Sequence, residues 1–492
     1  MPSSGPKKRV LFVAPPFDYF PNSQWSKKYS NYSRPPLGLC YVASYLRSFF
    51  QEEVEICLMD GMLHSEREIV TFSKAFQPEI IGVSAVTATI VQARSLAAKV
   101  RRVCPKALLI CGGPHPSVRP GDAFPEFDLA IMGEGERPFV QVIKNYEKGS
   151  GVRNMHIPGV VHPAHDEQDI ASVLPQVITN LDELPFPDRS LLEMDKYYHS
   201  YPYRTARGHF TTLFTSRGCN FHCSFCGCHA IFPGSKRYFS LPYIKEEIAH
   251  VVHDHHCTLV FFDDDELLLE QERLADLCEH LLKKKYPLKW ICHGRPEGAD
   301  LELMKLMKAA GCVEIQVGVE SGDETVLKRM GRNYSLATVE KFFNTTRKVG
   351  INTWATFVLG HPGETEATLN ATLDAALKTD PTYVSFITLL PFPGTRVFEE
   401  FDSRNRLKTR DWSRYSWHAD ETVFVPEHLS ENRLLELRAE LFRRFYLRPG
   451  KLLRIFMDVV RSRRFYEVKR NFFAWLSVVT HKERNRLARG RK

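Results

Sequence analysis

Short apolar runs that stop at Gly, Pro, Ser or Asp and then give way to a helix-prone stretch recur through most of this chain, and that alternation leaves few folds open. The first run, Val10-Leu-Phe-Val-Ala14, is apolar throughout, as a strand buried on both faces must be, and Pro15-Pro16 ends it. Arg34-Pro-Pro-Leu-Gly38 opens a helix over Leu39–Phe49, with proline near its start. Val54–Met59 stops at Asp60-Gly61, Ile80–Ser84 at Ala85-Val-Thr87, Ala107–Cys111 at Gly112-Gly113-Pro114-His115, and Leu129–Met132 at Gly133-Glu-Gly-Glu136. Helices are predicted over Val91–Val103 and from Pro138 onward. Together these predict an α/β fold, a doubly wound parallel sheet over residues 1–146. Such sheets bind ligands beyond the carboxyl ends of their strands, where Ser84, Thr87, Gly112, Gly113 and Gly133 fall in a row.

Residues 147–207 predict a connector, rich in Pro and without a long periodic segment; Leu181-Asp-Glu-Leu-Pro-Phe-Pro-Asp188 reads as stiff, extended chain packed across both neighbours. The alternation resumes over 208–400 at longer spacing. Thr211–Phe214, Leu259–Phe262, Leu288–Cys292, Glu314–Val319, Thr353–Leu359 and Tyr383–Leu389 are the predicted strands. Six units are too few for a complete eight-unit barrel and predict a partial one. From 401 to 492 the pattern turns helical and basic, with helices predicted from Ser430 to Leu447, Lys451 to Val468 and Asn471 to Val479.

Composition sets outer limits. At 492 residues the chain exceeds one ordinary core, and 43% hydrophobic with 25% charged residues is typical of a globular protein. The net charge of +8 sits in the tail, where residues 431–492 hold 18 Lys/Arg against 6 Asp/Glu. Met1–Arg9 lacks an apolar leader and no run of about eighteen apolar residues occurs, so the expected location is the cytoplasm.

Chemistry concentrates in Ser216-Arg-Gly-Cys219-Asn-Phe-His-Cys223-Ser-Phe-Cys226, which follows the first strand of the second series. Three thiolates at C-x3-C-x2-C can grip a soft metal centre. A 4Fe-4S cluster wants four ligands, so three leave one iron open to a further molecule. A zinc site from Cys226, Cys228 and His229 is the competing reading, but the chain has no second C-x2-C-like knuckle to complete it.

This spacing resembles that of the radical S-adenosylmethionine (SAM) enzymes, and the whole stretch from about residue 8 to 400 is similar to their cobalamin-binding branch, the group of class B radical SAM methyltransferases and magnesium-protoporphyrin ester cyclases. Pro-Pro-Leu-Gly38, Gly112-Gly-Pro-His115 and Gly133-Glu-Gly-Glu136 resemble segments of the cobalamin-binding domain of that class. The resemblance implies Cys219, Cys223 and Cys226 as ligands of a 4Fe-4S cluster whose open iron chelates SAM. It further implies Phe225 on the adenine, Asp263 and Asp264 near the ammonium, Glu320 with Ser321 at the ribose, and Gly360, Pro362 and Gly363 along the adenine. For cobalamin it implies Ser84, Thr87, Gly112, Gly113, His115, Gly133 and Glu134. The Asp-x-His-x-x-Gly signature that gives cobalt a histidine elsewhere is missing, since Asp60-Gly-Met-Leu-His64 has the wrong spacing.

The activity the resemblance implies is C-methylation of an unactivated carbon on a small molecule or lipid, by a 5′-deoxyadenosyl radical and methylcobalamin. Oxidative cyclisation or ring rearrangement is the alternative. A tRNA methylthiotransferase is remote, because Cys40, Cys57, Cys104 and Cys111 do not form a second triad at loop ends. An external one-electron reductant of flavodoxin or ferredoxin type is implied, and a nucleic-acid partner is not expected. The basic helices are expected to cap the barrel, with peripheral membrane contact as the alternative.

Overall fold

The computed structural model describes residues 7–17, 34–147, 151, 156–197, 209–417, 419 and 421–461. Strands β1 (Lys8–Ala14), β2 (Val54–Asp60), β3 (Ile80–Ser84), β4 (Leu108–Gly112) and β5 (Leu129–Ile131) form a parallel sheet in the order β2-β1-β3-β4-β5, with the short β6 (Val160–Val161) antiparallel on β5. Helices α1 (Leu37–Phe50), α2 (Glu66–Phe76), α3 (Ile90–Val103), α4 (Pro114–Val118) and α5 (Glu136–Glu147) connect them. The strand order reverses between β1 and β3, which opens a crevice at the carboxyl edge. Val10, Leu11, Phe12 and Val13 are all buried, as a strand covered on both faces requires.

The described part of the connector includes a short α-helix, α6 (Glu167–Ser172), and lies across both sheets. Asp188 N donates to Cys40 O at 3.1 Å, and Tyr197 Oη donates to Asp60 Oδ2 at 2.9 Å. Arg189 is fully buried; it donates to Thr211 Oγ1, Thr212 O and Glu247 Oε1 at 2.8 to 3.1 Å.

The second sheet holds β7 (His209–Leu213), β10 (Cys257–Phe262), β11 (Lys289–Gly294), β12 (Cys312–Glu320), β13 (Asn352–Leu359) and β14 (Tyr383–Thr388), six parallel strands in sequence order with β7 and β14 at its two edges. A two-strand bracket, β8 (Ser216–Arg217) with β9 (Arg237–Tyr238), encloses the cysteine loop, a pairing too short for periodicity to announce. The helices are α7 (Cys228–Ile231), α8 (Leu241–His253), α9 (Gln271–Lys284), α10 (Leu301–Ala309), α11 (Glu324–Arg329), α12 (Leu336–Val349), α13 (Glu366–Thr379), α14 (Arg396–Ser403), α15 (Glu431–Tyr446) and α16 (Pro449–Arg461). Ser240, Asp300, Ser335, Thr365 and Ser430 each cap a helix start with a side-chain oxygen.

The basic region divides. Helix α15 closes the β14 edge: Phe442 meets Phe386 edge-on at 5.4 Å, and Tyr446 Oη donates to Val384 O at 2.8 Å. In α16, Lys451 is buried against Pro381 O at 2.6 Å, whereas Leu452, Leu453 and Phe456, expected to cap the barrel, are exposed. The helix predicted at Asn471–Val479 lies outside the described residues. No helix among the described residues is long and apolar enough to cross a membrane.

Candidate active site

The cysteine loop leaves the carboxyl end of β7 and is fastened on every side. Asp264 is fully buried beneath it and accepts from Thr215 N (3.1 Å), Thr215 Oγ1 (2.8 Å) and Ser216 Oγ (2.5 Å). Its carboxylate therefore fixes the entry to the loop. Ser224, between the second and third cysteines, donates its N–H to Met330 O at 2.9 Å, and its carbonyl accepts from Val397 N at 3.0 Å. Arg396 donates to His222 O. Ser224 Oγ and His361 Nε2 are hydrogen-bonded at 2.9 Å. Burial pushes His361 down to about 4, and its Nδ1 lies 3.2 Å from Pro362 O. A neutral ring that donates there from Nδ1 leaves Nε2 to accept from the serine. Residues after the ends of β10, β13 and β14 thus hold one loop.

Cys219, Cys223 and Cys226 carry free thiols, with Cys226 exposed. The zinc alternative does not form. Cys228 Sγ turns away to donate to Asp265 Oδ2 at 3.2 Å, and His229 Nε2 lies 2.7 Å from Phe221 O, its ring stacked on His222 at 4.1 Å. Among the described residues no three His, Cys, Asp or Glu side chains converge on a single-ion site.

Around the loop stand the other strand ends. Glu320 closes β12 with φ of 67°, a left-handed conformation in which a residue with a Cβ is strained, and the strand is bulged between Gly318 and Glu320. Its buried carboxylate accepts from Arg332 Nη2 at 2.5 Å; burial pushes the carboxyl up, against the pull of that guanidinium. Arg332 in turn lies 5.8 Å over the ring of Phe225. Ser321 faces away, with Oγ 3.4 Å from Thr372 Oγ1 of α13. Gly360 has φ of 92°, and a Cβ there would stand 2.7 Å from Cζ of Phe424, so the tip of that ring packs directly on backbone. Pro362 carries the carbonyl facing His361, and Gly363 N donates to Glu427 Oε2 at 2.7 Å. Asp263 meets Arg34 Nη1 of the first domain at 2.5 Å and His293 Nε2 at 3.4 Å. Burial alone would raise Asp263; Arg34 and then His293 more than offset it and hold the carboxyl below its ordinary value.

At the edge of the first sheet the glycines leave bare backbone. Gly113 adopts φ of 97° with Ser84 Oγ 2.7 Å from where a Cβ would stand, a Cβ on Gly133 would stand 2.8 Å from Pro175 Cβ, and one on Gly112 would meet only Ile131 Cβ at 3.9 Å. His115 and Glu134, by contrast, are already engaged. His115 is fully buried, with Nδ1 3.2 Å from Thr87 Oγ1, Nε2 3.1 Å from Asp122 Oδ2, and Trp412 edge-on at 5.4 Å. Neither ring nitrogen is open to a ligand. Glu134 accepts from Arg217 Nη1 (2.6 Å), Arg237 Nη1 (2.7 Å) and Ile178 N (2.9 Å), and Glu136 accepts from Arg217 Nη2 at 2.6 Å. Gly133 N is held by Ser117 Oγ at 2.9 Å. The carboxyl edges of the two sheets therefore face one another with the cysteine loop between them.

Two family models match in tandem: the B12 binding domain over residues 29–143 and the Radical SAM superfamily over 213–376. The chain belongs to the B12-binding radical SAM enzymes. An uncharacterized methyltransferase of Pyrococcus horikoshii is 28% identical to it over 91% of this chain and 94% of its own. The anaerobic magnesium-protoporphyrin IX monomethyl ester cyclase of Rubrivivax gelatinosus is 24% identical over 90% and 78%. Among solved structures, the radical SAM methyltransferase TsrM of Kitasatospora setae, with tryptophan and a SAM analogue bound, superposes with TM-score 0.66 at 20% identity, covering 82% of this chain and 77% of that one. The cobalamin-dependent radical SAM enzyme OxsB with aqua-cobalamin gives 0.69 at 18% identity, over 90% and 67%.

Within this B12-binding radical SAM enzyme the residues fit what the fold would carry. Three unpaired thiols share one loop, and Arg295 Nη1 lies 3.8 Å from Cys223 Sγ, a cation beside a position that needs a thiolate. At the edge of the first sheet Gly112 leaves room for a corrin to approach backbone, without a histidine from His115. Sequence reasoning missed Arg295, whose guanidinium stacks 3.7 Å over Phe221, and also Arg332, Trp412 and the Ser224–His361 pair. Arg295 does stand at a strand end, but nothing in one sequence says which loop its side chain will meet.

Proposed function

We propose that this enzyme transfers a methyl group from SAM to carbon of a small molecule. The observation that supports the reading most is the facing of the two carboxyl edges across one fastened cysteine loop, joined by Glu134 and Arg217. When bound, the cluster supplies the electron that cleaves SAM and cobalamin carries the methyl group. Cys219, Cys223 and Cys226 would hold the cluster, Phe225, Asp263, Glu320, Gly360 and Gly363 would frame SAM, and Gly112, Gly113 and Gly133 would admit the corrin. The chain's own work is to bind and orient these groups and to keep water away from them. The balance is two SAM and two electrons per methyl placed, giving methionine, 5′-deoxyadenosine and S-adenosylhomocysteine, with the electrons from an external one-electron donor of flavodoxin or ferredoxin type.

The cyclase relatives favour a second reading, oxidative ring closure. Product counting separates the two. Anaerobic turnover of reconstituted enzyme should release S-adenosylhomocysteine and 5′-deoxyadenosine in equal amounts with a methylated product. Deoxyadenosine without S-adenosylhomocysteine overturns methyl transfer.

A further inference from the structure

The two faces of the second sheet differ in kind. One is apolar and roofed by helices: Trp290 Nε1 donates to Ala310 O after α10, Phe386 meets Phe442 of α15, and Val260, Phe262, Ile315, Val317, Ala355 and Phe357 are buried. Strand alternation sends the next residues to the opposite, inner face. There the register aligns His293 with Gln316, Gln316 with Trp354, and Gly318 with Thr356 and Ser385. His293, Gln316, Trp354, Thr356 and Ser385 are all half-buried rather than sealed. Asp263 joins the first row through His293, and Arg34, lying 4.1 Å over the ring of Phe261, brings the first domain to its rim.

A core has no use for such a face. Parallel strands of α/β barrels fill their interior with branched apolar side chains; here Phe261, Ile291 and Val358 do so in part, but the same face also carries an imidazole, the amide of Gln316 donating to buried Glu314 Oε1 at 3.2 Å, two hydroxyls and an indole whose N–H is committed to Ser385 Oγ at 2.8 Å. The hydrogen-bonding capacity left over by these internal pairs, with Asp263 on His293 and Glu314 on Gln316, goes to water or to a ligand that replaces it. We infer that the inner face of the partial barrel is a substrate site for a polar, hydrogen-bonding small molecule that lies against Trp354 and is gripped by His293, Gln316, Thr356 and Ser385, and that an aliphatic lipid is excluded from it. The inference rests on the proposed activity only in taking a substrate to bind here. A site built to hydrogen-bond its substrate discriminates by about ten-thousand-fold against an analogue that leaves those groups unpaired.

The test uses the full-length holoenzyme, SAM labelled with a trideuterated methyl group, and two extracts of the source cells, one aqueous and desalted, one of total lipid. Turnover is expected with the aqueous extract alone, with the label in a water-soluble product. Gln316→Leu and Ser385→Ala, at wild-type cluster and corrin absorbance, should each lower kcat/KM for that product at least about tenfold. A water-soluble compound consumed without gaining label still supports the polar site while overturning methyl transfer. Label in the lipid fraction, absence of turnover with the aqueous extract, or variants with unchanged kcat/KM overturns the site and leaves the methyl-transfer reading to be judged by its own product count.

Discussion

Arg217, two residues ahead of the first cluster cysteine, donates to Glu134 of the first domain at 2.6 Å, and both side chains are almost wholly buried. The Gly-Glu-Gly-Glu loop is therefore a joint between domains. It meets the cysteine loop through charge instead of touching a corrin through its carboxylates. Glu134 also receives Arg237, and Glu136 takes the second nitrogen of Arg217, so two guanidiniums are neutralised by two carboxylates away from water. Removing one partner leaves cations uncompensated, a loss of about 3–5 kcal/mol for a buried pair. Glu134→Ala should lower the unfolding free energy extrapolated from urea titration by that much, with a lower midpoint, and Glu134→Asp should restore part of it. Equal midpoints for Glu134→Ala and the parent would show that the joint carries no stability.

The cysteines divide three to one. Replacing Cys219, Cys223 and Cys226 together by Ala should abolish the brown absorbance of anaerobically reconstituted protein and its cleavage of SAM. Cys228→Ala should keep both, because that thiol is turned to Asp265 at 3.2 Å. Iron loss from Cys228→Ala as complete as from the triple variant would mean that the ligand set is misassigned.

How far the sequence reached can be judged from these same residues. The parallel sheets were legible because Val10–Ala14 and its successors are short, mostly apolar runs alternating with helix-prone stretches, and the buried outcome follows that pattern. The cysteine loop was legible from its spacing together with the family resemblance that spacing carries. Partners set by long-range geometry were not: Glu134 and Arg217 are 83 positions apart, and Arg34 and Asp263 are 229 apart. Asp264 shows the same limit. Beside Asp263 it reads as a neighbouring acid, yet strand alternation turns it the other way, under Thr215 and Ser216.

For cobalt, His115 at the edge of the first sheet has no nitrogen on offer. His115 is closed in by Thr87, Asp122 and Trp412, with both nitrogens occupied. Electron paramagnetic resonance of cob(II)alamin bound to the full chain should therefore lack the nitrogen superhyperfine splitting of an imidazole. Splitting that disappears in His115→Gln would show that the ring swings out to bind cobalt.

The loop after β13 carries a proton of its own. Glu364 Oε2 accepts from Gly360 N at 2.5 Å and His361 N at 3.0 Å, while Oε1 has no hydrogen-bond partner among the described residues. Burial outweighs those two hydrogen bonds and pushes the carboxyl from its ordinary 4.5 up to about 8. The folded protein thus binds this proton more tightly than the unfolded chain does. The stability it contributes is complete below the ordinary carboxyl value and is lost as pH rises from there through the folded value, at up to about 1.4 kcal/mol per pH unit. Glu364→Gln keeps an acceptor for both N–H groups and cannot ionise. Its melting temperature should match the parent near pH 4.5 and exceed it increasingly up to about pH 8, with no further gain above. Parallel melting curves across that range, at equal iron content, would place the Glu364 proton elsewhere and leave the loop without a pH response.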